Sequence, residues 1–216
     1  MKKLVIFDLD GTLLNTIADL AHSTNYALNK LGYPTHEIEK YNFMVGNGID
    51  KLFERALPEE EKSKENVLRV RKEFVPYYDI HNADDSRPYP GIPELLSYLQ
   101  DAGIQIAVAS NKYQAATQKL IDHYFPEIHF TAVFGQREGI KVKPDPTVVF
   151  DILEVAKVTK EEVLYVGDSG VDMQTAANAG VTVCGVTWGF RPRAELEEFS
   201  PQYIVDTAEE IKRLIL

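Results

Sequence analysis

Leu4-Val-Ile-Phe-Asp-Leu-Asp-Gly-Thr12 opens as an unbroken apolar run, stops on two carboxylates two residues apart, and turns at a glycine. An apolar run without alternation predicts a strand buried on both faces, the kind found inside a parallel sheet. Similar runs follow at Ile104–Ala109, Val163–Val166 and Val181–Cys184. Helical patterns lie between them. One is marked by Pro93 near its start, Leu95, Leu96 and Leu99 along it, and Gly103 after it. Strands alternating with helices predict an α/β protein with a Rossmann-like parallel sheet and helices on both faces. In extended chain, residues two apart point the same way, so Asp8 and Asp10 are predicted to face one site.

The stretch from Asn15 to about Asp85 breaks the alternation. Thr16 with Asp19 reads as a capping signal, and Ile17, Leu20, Ala21, Leu28 and Leu31 then predict a helix ending at Gly32. Further helices are predicted over 49–57 and 59–77, with Glu59-Glu-Glu61 as a solvated first turn. Asp84-Asp-Ser-Arg-Pro88 reads as a return linker. The expected organisation is an α/β core of residues 1–14 and 86–216, with an all-helical cap domain, 15–85, inserted after the first strand.

Across 216 residues the formal net charge is −10. That balance argues against a nucleic-acid partner, because no broad basic field would attract a polyanion. A small anionic substrate remains compatible, since a few lysines and a metal reverse the potential locally. Cys184 is the only cysteine, so an intrachain disulfide is excluded, and its apolar setting predicts a buried structural thiol. The apolar run after Lys2-Lys3 is too short for a signal peptide, and no stretch has the length of a membrane span. The expectation is a cytoplasmic protein without a membrane partner, as a monomer or homodimer.

Four features fall at or just after the carboxyl ends of expected strands, where open α/β sheets place ligands. The first is Asp8-Leu-Asp-Gly-Thr12. Paired carboxylates repel unless a cation or shared proton separates them, and Mg²⁺ suits such oxygen donors. The second is Ser110-Asn-Lys112, whose hydroxyl and amides could hold phosphate at a following helix N-terminus; a serine there also serves as a plain helix cap. The third is Lys143 in Lys141-Val-Lys-Pro-Asp-Pro146, a compact cation for phosphate or simply a solvated lysine. The fourth is Gly167-Asp-Ser-Gly-Val-Asp172. Asp168 and Asp172 are spaced to face one site if a helix begins there, and either could instead cap that helix.

In order and spacing these four motifs resemble the haloacid dehalogenase superfamily over essentially the whole chain. Within it, the insertion at Asn15–Asp85, Tyr89-Pro-Gly91 and Val186-Thr-Trp-Gly189 are similar to the phosphoglycolate phosphatase-like group. The resemblance implies a Mg²⁺-dependent phosphatase acting on a small-molecule phosphate ester through an aspartyl phosphate. It implies Asp8 as nucleophile and Asp10 as acid/base. Asp8, Asp168 and the main-chain carbonyl of Asp10 would be metal ligands, with Asp172 supporting the metal shell. Ser110, Asn111 and Lys143 would hold phosphate. Gly46, Asn47 and Gly48 would form the cap loop that meets the substrate, although these glycines could also just start the helix at Ile49. The superfamily's dehalogenases lack the second Asp, so Asp10 implies phosphoryl transfer.

Two positions depart from the group's pattern. Asn15 stands where many relatives carry Asp, and Phe43-Met44 where a basic residue often precedes the glycines, which leaves the individual ester open. A sugar-phosphate mutase, a nucleotidase or a pyrophosphatase of the same superfamily stays in view. A phosphoaspartate signalling module is disfavoured by the large insertion and by Asp10.

Overall fold

The computed structural model describes residues 2–215. The elements, in chain order, are β1 Leu4–Phe7, β2 Leu14–Asn15, α1 Ile17–Lys30, α2 Ile49–Ala56, α3 Lys64–His81, β3 Arg87–Pro88, α4 Ile92–Asp101, β4 Gln105–Tyr113 and α5 Gln114–Tyr124. They continue with β5 Ala132–Gln136, α6 Thr147–Ala156, β6 Val163–Gly167, α7 Gly170–Ala179, β7 Thr182–Val186, α8 Arg193–Glu197, β8 Tyr203–Val205 and α9 Ala208–Arg213. Short 3₁₀ turns cover Ile38–Phe43, Glu59–Glu61 and Lys160–Glu162.

Six strands form one parallel sheet in the order β5-β4-β1-β6-β7-β8. The apolar run of β1 is fully buried because both faces are covered. Val5 and Phe7 pack with Leu95, Leu99, Val108, Leu120 and Val166 on one face. Leu4 and Ile6 pack with Ala107, Val149, Ile152, Tyr165 and Met173 on the other. β1 lies between β4 and β6, with Phe7 level with Val108 and Val166. The chain builds outward on one side of β1 before crossing to the other, so the carboxyl end of β1 is a topological switch point.

The helices α1–α3 bury a separate cluster that includes Leu28, Tyr41, Leu52, Phe53, Val70, Phe74 and Tyr78. The chain leaves and re-enters the sheet through an antiparallel pair, Leu14 opposite Pro88 and Asn15 opposite Arg87. Asp19 closes this neck: its carboxylate accepts from the main-chain N–H of Asp85 (2.9 Å) and Ser86 (2.8 Å) and from the Ser86 hydroxyl (2.6 Å).

Several expectations are corrected. Thr16 stands at the N-terminus of α1 but makes no side-chain capping bond, because its hydroxyl donates to Asp10. The helix predicted over 59–77 divides. Glu59–Glu61 is a 3₁₀ turn, and α3 begins at Lys64 behind Ser63, whose hydroxyl oxygen accepts from the N–H of Asn66 (3.1 Å), then runs past Pro76 to His81. The strand predicted to stop at Ala109 continues to Tyr113, so Ser110-Asn-Lys112 is strand, not a helix start. The strand expected at Val181–Cys184 shifts to Thr182–Val186. Among the described residues no helix is long and apolar enough to cross a membrane.

Candidate active site

The carboxyl ends of β1, β4 and β6 bring the predicted residues together. Asp8 continues β1, and its N–H donates to Val166 of β6 at 2.9 Å. Asp168 follows β6, and Ser110 and Asn111 lie near the carboxyl end of strand β4. Lys143 reaches in from the loop before α6 and is buried. Its ammonium contacts Asp8 Oδ1 (3.0 Å), Asp172 Oδ1 (2.7 Å), the Ala109 carbonyl (2.8 Å) and the Tyr165 hydroxyl (3.2 Å). Three ammonium protons therefore face four acceptors.

Asp172 carries out both of the roles that its spacing allowed. In the first turn of α7 its Oδ2 accepts from the N–H (3.2 Å) and hydroxyl (2.6 Å) of Ser169, a capping arrangement. Its Oδ1 holds Lys143. Asp168 accepts from the N–H of Phe190 (2.7 Å) and the hydroxyl of Thr12 (3.3 Å). Its surroundings admit no bulk. Gly11 has φ +90°, and a Cβ there or on Gly189 would overlap the Asp168 side chain.

The electrostatics are those of a site short of positive charge. Burial pushes the Asp8 carboxyl up to about 7, with the neighbouring Asp172 and Asp10 adding to the rise and Lys143 opposing it. Burial, then Asp172 and Asp8, holds Asp168 well above the usual carboxylate range. Burial pulls Lys143 down, but the carboxylates of Asp172 and Asp8 more than offset it, leaving the ammonium well above its ordinary value. One lysine among three buried carboxylates leaves net negative charge in a low dielectric, which a cation would relieve.

Carboxylate oxygens of Asp8, Asp168 and Asp172 lie within 4.8 Å of one another, so the donor set fits a hard divalent ion. Because both oxygens of Asp172 are engaged, Asp8 and Asp168 are the better placed to ligate directly. The cluster of Asp19, His22 and Asp85 also has metal-like spacing. There, however, the Asp19 carboxylate is already spent on the neck.

Asp10 is held on both oxygens. The Thr16 hydroxyl donates to Oδ1 at 2.6 Å, and the Lys112 ammonium meets Oδ2 at 3.1 Å. Lys112 is buried and sits 4.8 Å from the centre of the Tyr78 ring on α3. Lys112 and Thr16 are the residues the sequence reading missed. Lys112 was discoverable, since it lies two residues after Ser110 in what proves to be extended chain and so shares its face. Thr16 was hidden by its resemblance to a helix cap.

Ser110 accepts from the N–H of Lys112 (3.1 Å), which leaves its hydroxyl proton for a ligand. Asn111 is placed differently from expectation. Its side chain accepts from the Lys143 N–H (2.8 Å) and donates to the carbonyls of Lys143 (3.1 Å) and Gly46 (2.9 Å). That amide positions Lys143 and the 43–48 loop, leaving only its main chain to meet an anion.

A pocket opens over these groups, lined by Asp8, Asp10, Ser110, Asn111 and Lys112 below and by Leu20, Val45, Gly46, Gly48, Ile49 and Leu52 above. Asn47 is outside it, with its Oδ1 accepting from Arg55 at 2.8 Å. The glycines on either side line the pocket and their neighbour does not. Trp188 and Phe190 support the site from behind: the Trp188 indole donates to the Thr12 carbonyl (3.0 Å), and the Phe190 N–H donates to Asp168. Cys184 is buried beneath the sheet end, where burial pushes its thiol up to about 12, so it is a packing residue.

The family model for haloacid dehalogenase-like hydrolases matches residues 5–186. The phosphoglycolate phosphatase of Mesorhizobium japonicum is 33% identical over 99% of this chain and 97% of its own length. That of Vibrio parahaemolyticus is 31% identical over 99% and 96%. A crystal structure from Lactobacillus delbrueckii subsp. bulgaricus, itself provisionally assigned as a phosphoglycolate phosphatase, superposes with a TM-score of 0.93 at 34% identity, covering 100% of this chain and 99% of that one. The chain belongs to the haloacid dehalogenase-like hydrolase family.

Proposed function

We propose that this protein is a Mg²⁺-dependent phosphatase that hydrolyses a small phosphate monoester of the phosphoglycolate type, with Asp8 as nucleophile and Asp10 as acid/base. The observation that carries the reading is the geometry at the end of β1. Asp8 is held by the ammonium that also grips Asp172, while Asp10, two residues on, is held separately by Thr16 and Lys112. Two carboxylates in different surroundings can take different roles.

In this mechanism Asp8 attacks phosphorus in line, its oxygen forming the new P–O bond as the ester oxygen leaves. Asp10 gives that oxygen a proton, then takes one from the water that opens the aspartyl phosphate. Ser110 donates its hydroxyl to a phosphoryl oxygen. Lys143 supplies positive charge, releasing Asp8 as the phosphoryl group approaches. Asp8, Asp168 and the main-chain carbonyl of Asp10 would hold Mg²⁺, which supplies charge screening between the nucleophile and the phosphate. The helical segment 15–85 acts as a cap that completes the pocket and excludes water.

The pocket's walls favour a small substrate with few hydroxyls. Leu20, Val45, Ile49 and Leu52 offer little to the hydroxyls of a sugar, and Lys112 is the cation that lines it beside Asp10. A phosphate ester with a second anionic group and few hydroxyls satisfies those walls, and phosphoglycolate is such an ester. The names of the relatives agree with this choice.

The test is phosphate release from a panel of phosphoglycolate, sugar phosphates, nucleotides and pyrophosphate, with Mg²⁺ and with chelator. Mg²⁺-dependent release with phosphoglycolate preferred is the expected result. A preferred sugar phosphate would overturn the substrate assignment, and no release from any ester would overturn the phosphatase reading.

A further inference from the structure

The loop after β7 holds two things at once. The N–H of Phe190 donates to Asp168, and the next residue, Arg191, crosses to the helical segment, where its Nη2 donates to the carbonyls of Val45 (3.0 Å) and Phe43 (3.5 Å). The guanidinium lies 5.4 Å from the centre of the Phe43 ring. Its Nη1 is 3.9 Å from Glu195, whose other carboxylate oxygen accepts from the Gly170 N–H (3.0 Å) at the start of α7.

From the other side, Arg55 of α2 donates to the Met44 carbonyl (2.8 Å) and to Asn47 Oδ1 (2.8 Å). Burial and then the charge of Arg191 hold the Arg55 guanidinium below its ordinary value. Two like charges converge here because the carbonyls of 43–45 lie between them. Arg55 belongs to the helical segment it grips, whereas Arg191 is anchored in the loop that follows β7 of the sheet. Val45 and Gly46, the residues at Arg191's tip, line the pocket above Asp8 and Asp10.

We infer that Arg191 is a positioning residue that latches the Phe43–Gly48 loop shut over the substrate. Its hydrogen bonds run to main-chain carbonyls, and of the side chains at 43–45 the Phe43 ring adds a cation–π contact. This rests on the reading of the pocket as the substrate site, but the latch itself is measurable without turnover.

The experiment uses the full-length protein and its Arg191→Ala and Arg191→Lys variants, followed by hydrogen exchange of peptides spanning 42–52 in the absence of substrate. Loss of charge-assisted bonds at this joint is expected to raise exchange there about tenfold in Arg191→Ala. Arg191→Lys should fall between, because an ammonium cannot reproduce the guanidinium fork. Peptides of β1 and β6 should not change, which separates an opened latch from a destabilised fold. With phosphoglycolate, KM should rise about tenfold in Arg191→Ala while kcat stays within about threefold, as expected when binding rather than chemistry is lost. Unchanged exchange over 42–52 would overturn the latch. So would equal loss in kcat and kcat/KM with unchanged KM. If the parent protein fails to hydrolyse phosphoglycolate, the substrate assignment falls while the exchange result still decides the latch.

Discussion

Asp8, the proposed nucleophile, sits where burial holds its carboxyl near neutrality, at about 7 against an ordinary value of 3.8. The sign of the resulting pH dependence follows from linkage. Below pH 3.8 both folded and unfolded chains keep the proton, so the group contributes nothing. Between there and about pH 7 the folded metal-free protein holds a proton that the unfolded chain has lost, and stability falls as pH rises. Asp168 is raised as well and works in the same direction. A divalent ion should offset this loss most strongly above pH 7, where Asp8 is charged in both states. Thermal melts of metal-free Asp8→Asn should show a shallower decline across that window, and turnover should be abolished; an unchanged pH slope would remove Asp8 as its source. The acids were legible in sequence because each follows an apolar run that ends at the sheet's carboxyl edge. Thr16 was not, because its role depends on where Asp10 turns its Oδ1. No spacing encodes that.

At the scale of elements, the site is built where strands run on or loops return. β4 continues through Ser110-Asn-Lys112 to Tyr113 although its pairing with β5 is irregular between Ala109 and Tyr113. A polar tripeptide after an apolar run therefore read as a strand's end. β5 and β8 escaped the sequence reading because they are edge strands, short and only partly buried, each with an apolar run of only three residues. The loop after β7 was recognised by resemblance alone, and its physical work is close packing. A Cβ on Gly189 would collide with the Asp168 side chain and with the Gly11 carbonyl, and main chain cannot yield as a flexible side chain can. Gly189→Ala is thus expected to displace Asp168 and weaken Mg²⁺ binding about 10- to 100-fold, a range typical of disturbing the support of a metal ligand. Gly185→Ala on the preceding strand meets chiefly Leu196, at 3.1 Å, a side chain that can shift, and should leave affinity near that of the parent. Titration calorimetry distinguishes the two. Equal affinities for both variants would mean that the loop does not set the position of Asp168.

Taken whole, the molecule carries apolar clusters on the two faces of its sheet and a third among α1–α3, and the chain joins them through the short β2–β3 pair. The third cluster draws on the sheet side chiefly through Ala116, Tyr113 and Phe190, so most of its apolar area is buried within residues 17–81. Polar ties add to the joint. Tyr113 donates to Asp79 (2.5 Å), Lys119 bonds the Asp79 carbonyl, and Asn111 and Arg191 hold the 43–48 loop. An arrangement of one cluster per layer and few apolar contacts between is that of units able to fold separately. Asn15 and Arg87 face each other across the neck, so a linker of about four glycine and serine residues would span the gap left by removing 17–85. Thr16 would remain to hold Asp10. Such a variant is expected to melt cooperatively, because both faces of the sheet keep their helices α4–α7 and α9. It should lose its preference for phosphoglycolate over a generic ester such as p-nitrophenyl phosphate by at least about 100-fold, since the walls proposed to select the substrate and exclude water are gone. A variant that keeps its preference would move substrate selection into the sheet side of the pocket. One that fails to melt cooperatively would show that residues 15–85 and the sheet are a single folding unit, joined more tightly than their separate cores imply.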